Sequence, residues 1–102
     1  MMKLSDLPAV PLHPGRILQE EFLTPLGITQ TQLAKHISVP LRRVNEICRG
    51  RRSVSPQTAL LLSQAFGTTA QFWLNGQITY DLAAAKQENR IYDVCPIVKS
   101  TG

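Results

Sequence analysis

Apolar positions recur at helical spacing along most of the chain, and the breaks between runs fall on proline, glycine and hydroxyl residues. Ile17, Leu18, Phe22 and Leu23 make a first stripe. Pro14 opens it, where a missing N–H costs nothing, and "TPLG" at 24–27 closes it. Leu33, Ala34 and Ile37 make a second stripe behind Thr29, a good N-cap residue. "SVP" breaks the pattern and Pro40 starts a third helix, with Val44, Ile47 and Cys48 inward and Gly50 placed for a left-handed cap. Ser55 and Pro56 start a fourth helix. Its "TALLLSQAF" is apolar on more than one side, which predicts the central buried helix, ended by Gly67. Thr69 caps a long fifth helix from Ala70 to Lys86 or Glu88. The expected fold is all-α: a compact five-helix domain over 13–88, an extended N-terminal arm over 1–12 and a C-terminal tail over 89–102, loose or forming a short edge strand.

At 102 residues the chain has room for one modest core, and with 6% aromatic residues that core must be mostly aliphatic. No window approaches the roughly 18 apolar residues of a membrane helix. The start "MMKLSDLPAVPLHPG" holds an acid and three prolines and does not read as a secretory signal. Cys48 and Cys95 give neither a zinc spacing nor a disulfide framework, so a reduced, cytoplasmic protein is expected. His36 has no second ligand at metal spacing, and His13 before Pro14 is expected to help start the first helix. Phe72 and Trp73 read as core rather than as a ligand pocket. With no catalytic constellation, metal or cofactor site in view, the expectation is a protein that is not an enzyme.

Charge changes the picture. The net charge is +4, and the eighteen residues from 35 to 52 carry more than all of it. There Lys35, Arg42, Arg43, Arg49, Arg51 and Arg52 face the single acid Glu46, while the rest of the chain nets −1. A cluster so concentrated points to an anion-binding surface.

This stretch also has geometry. A short helix, a three-residue break and a second helix fit the helix-turn-helix arrangement of DNA readers. On a wheel of about 100° per residue, Arg42, Asn45, Glu46 and Arg49 lie opposite Val44, Ile47 and Cys48. Arginine can pair with guanine, asparagine can bond adenine twice, and glutamate can accept from cytosine N4. Gln30, at the open N-terminus of the preceding helix, is placed to meet a phosphate. Arg49, Arg51 and Arg52 follow the reader where the DNA backbone would pass. For Arg43 the alternative is that its stem covers apolar surface, and for Glu46 that it pairs with Arg42 or Arg49 and reads nothing.

Three segments carry a resemblance: "HPGRIL..EFL..LG", "VP..RVNEI.RG.R" and "A..LS.AFGT...FWLN.Q..YDL". In this order, over roughly residues 13–85, they resemble the Cro/lambda-repressor type of helix-turn-helix domain, and more narrowly the HigA antitoxins of bacterial toxin–antitoxin pairs. The resemblance implies a lambda-repressor-like, homodimeric repressor that binds a palindromic operator on double-stranded DNA and neutralises a small basic, HigB-like mRNA-cleaving toxin. It places base reading on Leu41, Arg42, Arg43, Asn45 and Glu46, and phosphate contacts on Thr29, Gln30, Arg49 and Arg51. Two positions depart from it. Members often carry Glu where Arg16 stands, and a larger apolar residue where Gly76 stands; the glycine is expected to interrupt the last helix.

That last helix has two stripes: Leu74, Ile78 and Leu82, and Trp73, Tyr80 and Ala84, roughly 140° apart. One can cover the domain's own core and the other a second copy, so Trp73, Leu74, Ile78, Tyr80 and Leu82 are the dimer candidates. The apolar residues of the ends, Leu4, Leu7, Val10 and Leu12, then Ile91, Tyr92, Val94, Ile97 and Val98, are expected to fold back on the domain or to dock a toxin. A stand-alone regulator without a toxin, and an interaction module without DNA binding, stay open beside the antitoxin.

Overall fold

The computed structural model describes residues 11–88 and 94–98, and among these there are five helices and no strand. Helix α1 covers 14–26 as three continuous segments, Pro14–Ile17, a π-helical Leu18–Leu23 and Thr24–Leu26. Then come α2 (Gln30–His36), α3 (Leu41–Cys48), α4 (Pro56–Phe66) and α5 (Ala70–Gln87).

Local chemistry explains the starts. The His13 Nδ1 accepts the Gly15 N–H at 2.9 Å, so this histidine caps α1. Thr29 and Gln32 form a reciprocal capping box on α2, and Ser55 and Thr69 accept the Thr58 and Phe72 N–H groups. Between α2 and α3 the chain turns at Ser38, which takes a left-handed φ of 58°. Gly50, at φ 73°, turns the chain out of α3 at little steric cost.

The core gathers Leu18 and Leu23 of α1, Leu33 and Ala34 of α2, Val44 and Ile47 of α3, Ala59 and Leu62 of α4, and Trp73 of α5. Each of the Leu, Ile and Val side chains contributes about 1.5–3 kcal/mol when fully buried. Trp73 is completely buried, packs against Phe22 at a ring separation of 5.3 Å, and donates from Nε1 to Thr68 Oγ1 at 2.7 Å.

The structure corrects several expectations. Helix α4 is not buried all round: Thr58, Ala59 and Leu62 point inward while Leu60 is exposed, because α4 turns one face to the core. Phe72 is exposed and lines an apolar cleft of about 570 Å³ with Leu12, Ile17 and Gly76. Gly76 does not break α5, which runs through it; a Cβ there would meet the Pro14 Cβ at 3.6 Å, an ordinary contact. In the tail, Val94, Ile97 and Val98 stand in solvent rather than folding back. The expectations for residues 1–10, and for most of "IYDV", lie outside the described residues.

Two contacts join the reader to the body. A Cβ on Gly15 would lie 1.6 Å from the Ile47 carbonyl oxygen, so the first turn of α1 crosses the last turn of α3 backbone to backbone. Beyond α3, the buried Val54 N–H donates to Gln77 Oε1 at 2.9 Å, and Gln77 Nε2 donates to Asp81 Oδ1 at 2.9 Å. The second contact ties the arginine-rich loop to α5.

Candidate nucleic-acid interface

Helix α3 turns Val44 and Ile47 into the core, and this fixes its opposite face outward. Leu41 and Arg42 are exposed at its first turn, and Arg43, Asn45 and Glu46 are half-buried beside them. Arg49, Arg51 and Arg52 are exposed where the chain leaves the helix. Thr29 and Gln30 sit at the open end of α2, next to α3 in space as well as in sequence. Asn45 bonds Gln30 of α2, and Arg42 and Arg52 both meet Glu46, so these residues lie together.

Glu46 is engaged on both oxygens. Arg52 Nε lies 3.1 Å from Oε1 and Arg42 Nε lies 3.5 Å from Oε2. The hydrogen bond from Arg52, with the charges of both arginines, holds the Glu46 carboxyl below its usual value despite some desolvation. Arg49 is not its partner among these ion pairs. Such exposed pairs add little stability, but they set where the two guanidinium groups stand.

A chain of side-chain amides was not visible in the sequence. Asn45 Nδ2 donates to Gln30 Oε1 at 3.1 Å, Gln30 Nε2 donates to Gln19 Oε1 at 2.8 Å, and Gln19 Nε2 donates to Thr24 Oγ1 at 3.1 Å. The sequence offered no signal for Gln19, since it lies eleven residues from Gln30 on another helix.

The helix-turn-helix family HTH_3 matches residues 19–73, just over half of the chain. The virulence-associated protein I of Dichelobacter nodosus is 43% identical over 90 residues, 88% of this chain and 82% of that protein. The solved Pseudomonas aeruginosa antitoxin HigA with the higBA promoter matches with a TM-score of 0.78 at 38% identity, covering 86% of this chain and 99% of that one. The chain belongs to the HigA-type helix-turn-helix antitoxin family. The antitoxin GraA in complex with its operator also matches, with a TM-score of 0.81 at 38% identity, covering 97% of this chain and all of that one.

Within this antitoxin frame the remaining candidates separate. Trp73, expected among the dimer contacts, is completely buried in its own chain's core and presents nothing to a partner. Tyr80 is half-buried and packs edge-on against His13, with ring centroids 4.9 Å apart. Ile78 and Leu82 remain exposed at 57% and 59%, and Leu74 is partly buried on the core. Burial pushes the Cys48 thiol up to about 11, away from thiolate reactivity. No group of three His, Cys, Asp or Glu residues that could hold a metal occurs among the described residues, and none of their helices is long and apolar enough to cross a membrane.

Proposed function

We propose that this antitoxin-family chain binds, as a homodimer, a palindromic operator before its own gene, represses that operon and neutralises a small mRNA-cleaving toxin. The observation that carries the DNA reading is the outward face of α3, where Arg42 and Asn45 stand beside Gln30 at the open end of α2. One Asn45 N–H is held by Gln30, which leaves its Oδ1 and second N–H for the N6–H and N7 of an adenine. Arg42 reads guanine, the exposed Leu41 meets a thymine methyl, and Arg43 borders them. Glu46 organises Arg42 and Arg52. Thr29, Gln30, Arg49, Arg51 and Arg52 take phosphates. The operator complexes of HigA and GraA support this reading.

Mobility shift on the DNA upstream of the gene tests it. Arg42→Ala or Asn45→Ala is expected to cost on the order of 1–3 kcal/mol there and to relax preference at one base pair per half-site. Full discrimination by either variant refutes the assignment of this face.

The dimer rests on the exposed Ile78 and Leu82 stripe of α5, continuous with Leu74. Two readers would then meet successive major-groove turns, about 34–36 Å apart. The toxin is the partner implied by the family, and the apolar tail is its proposed dock. Deleting 89–102 is expected to spare operator binding and weaken neutralisation by co-expressed chain; loss of both together, or of neither, refutes the dock.

A further inference from the structure

The π-helical segment of α1 gives the amide chain its origin. At about 100° per residue, positions five apart on an α-helix point roughly 140° away from each other. Here the Thr24 N–H bonds back to the Gln19 carbonyl, the i→i+5 pattern of a π-turn, and this widened turn brings the two side chains side by side. Gln19 Nε2 then reaches Thr24 Oγ1 at 3.1 Å.

From Gln19 onward the amides all run in one direction. With its N–H group on Thr24, Gln19 turns Oε1 toward α2 and accepts Gln30 Nε2 at 2.8 Å. Gln30 must then offer Oε1 toward α3, where it accepts Asn45 Nδ2 at 3.1 Å. Gln19 and Gln30 each use one donor and one acceptor in the same sense. The last member is left with one N–H and its Oδ1 side by side. This is the fork that the adenine edge requires; the opposite orientation would set Oδ1 against the N7 acceptor and an N–H against the N6–H donor. Successive amide bonds also polarise one another.

We propose that Gln19, held by Thr24 across the π-turn, is a positioning residue for base discrimination: it acts through Gln30 to fix the orientation of the Asn45 amide. The proposal rests on the reading of Asn45 as a base contact. Gln19 is uncharged and belongs to α1, outside the reading helix, so its effect falls on which sequence is preferred. The number of phosphates neutralised stays the same.

The test uses the full chain and a duplex selected by the wild-type protein from a randomised pool, beside the same duplex with the adenine pair replaced. Gln19→Ala is expected to reduce the ratio of the two affinities by about threefold to tenfold, the worth of one net hydrogen bond. Its salt dependence is expected to stay at the wild-type value. Adding Asn45→Ala to Gln19→Ala is expected to take away no more discrimination than Asn45→Ala alone. Gln19→Glu still accepts from Gln30 and can receive the Thr24 hydroxyl proton. It is expected to weaken both duplexes equally, through its charge, and to keep the ratio. Thr24→Val, a change on the exposed surface, gives the same comparison should Gln19→Ala fail to fold, and it too is expected to lower the ratio.

An unchanged ratio in Gln19→Ala and Thr24→Val, or an equal loss on both duplexes, overturns the positioning role. If Asn45→Ala nevertheless loses discrimination, the base-reading assignment stands. Wild-type discrimination by Asn45→Ala overturns both.

Discussion

Gln77→Leu isolates the tie between α5 and the basic loop. The substitution keeps the volume of a side chain only 6% exposed but removes the acceptor of the Val54 N–H, and Val54 itself is 3% exposed. A buried donor left unpaired costs about 1–3 kcal/mol. The other bond lost, to Asp81, costs little because that carboxylate is exposed to water. For a domain of this size about 1 kcal/mol moves the melting temperature by 4–8 °C. Gln77→Leu is therefore expected to melt about 5–20 °C below wild type by circular dichroism. Gln77→Glu separates the two halves of the tie. Its carboxylate still accepts from Val54 but faces Asp81, so adding Asp81→Asn to it is expected to restore part of the loss. Loosening the loop also shifts the backbone that carries Arg51 and Arg52, so affinity for any DNA is expected to fall before the operator preference does. A Gln77→Leu protein melting within about 2 °C of wild type would refute the argument that this bond holds the loop.

Gly15→Ala forces a carbon into the Ile47 carbonyl and is expected to destabilise by about 3 kcal/mol, the upper end for overpacking, or to prevent folding, as read by chemical denaturation. His13 is kept below its ordinary value of 6.5 by burial, with Asp81 pulling weakly the other way, and its Nδ1 must stay unprotonated to cap α1. Its contribution to stability is thus full above pH 6.5 and is lost as pH falls through the lowered value. Melts between about pH 5 and 8 are expected to show that loss, and His13→Asn, which can still cap but does not titrate, is expected to flatten it. Arg51→Ala is expected to weaken all duplexes alike and to lower the slope of log K against log salt by about 0.9; an unchanged slope places Arg51 off the phosphates. Ile78→Asp or Leu82→Asp is expected to sediment as a folded monomer where wild type sediments as a dimer, and a wild-type monomer at micromolar concentration removes the α5 interface.

Helix existence and most helix ends were legible in the sequence because they are local events. Thr29, Ser55 and Thr69 cap with their own side chains, and Pro14 needs only the residues around it. The outward face of α3 was legible too, since Val44 and Ile47 must point one way and α-helical periodicity sends Arg42 and Asn45 the other. The basic cluster needed only counting.

What the tertiary structure decided depends on neighbours distant in sequence. Both stripes of α5 are apolar, and only the packing of Phe22 onto Trp73 shows which one the core claims. Leu60 is as apolar as Leu62, yet it is exposed while Leu62 is buried. The approach of Gly15 to Ile47 joins residues 32 positions apart. The amide chain from Thr24 to Asn45 needs a π-turn, for which an α-helical wheel has no place, and three helices packed at the right distance. Periodicity says which side of a helix is wet or dry, whereas a hydrogen bond between helices depends on where the packed core sets their axes.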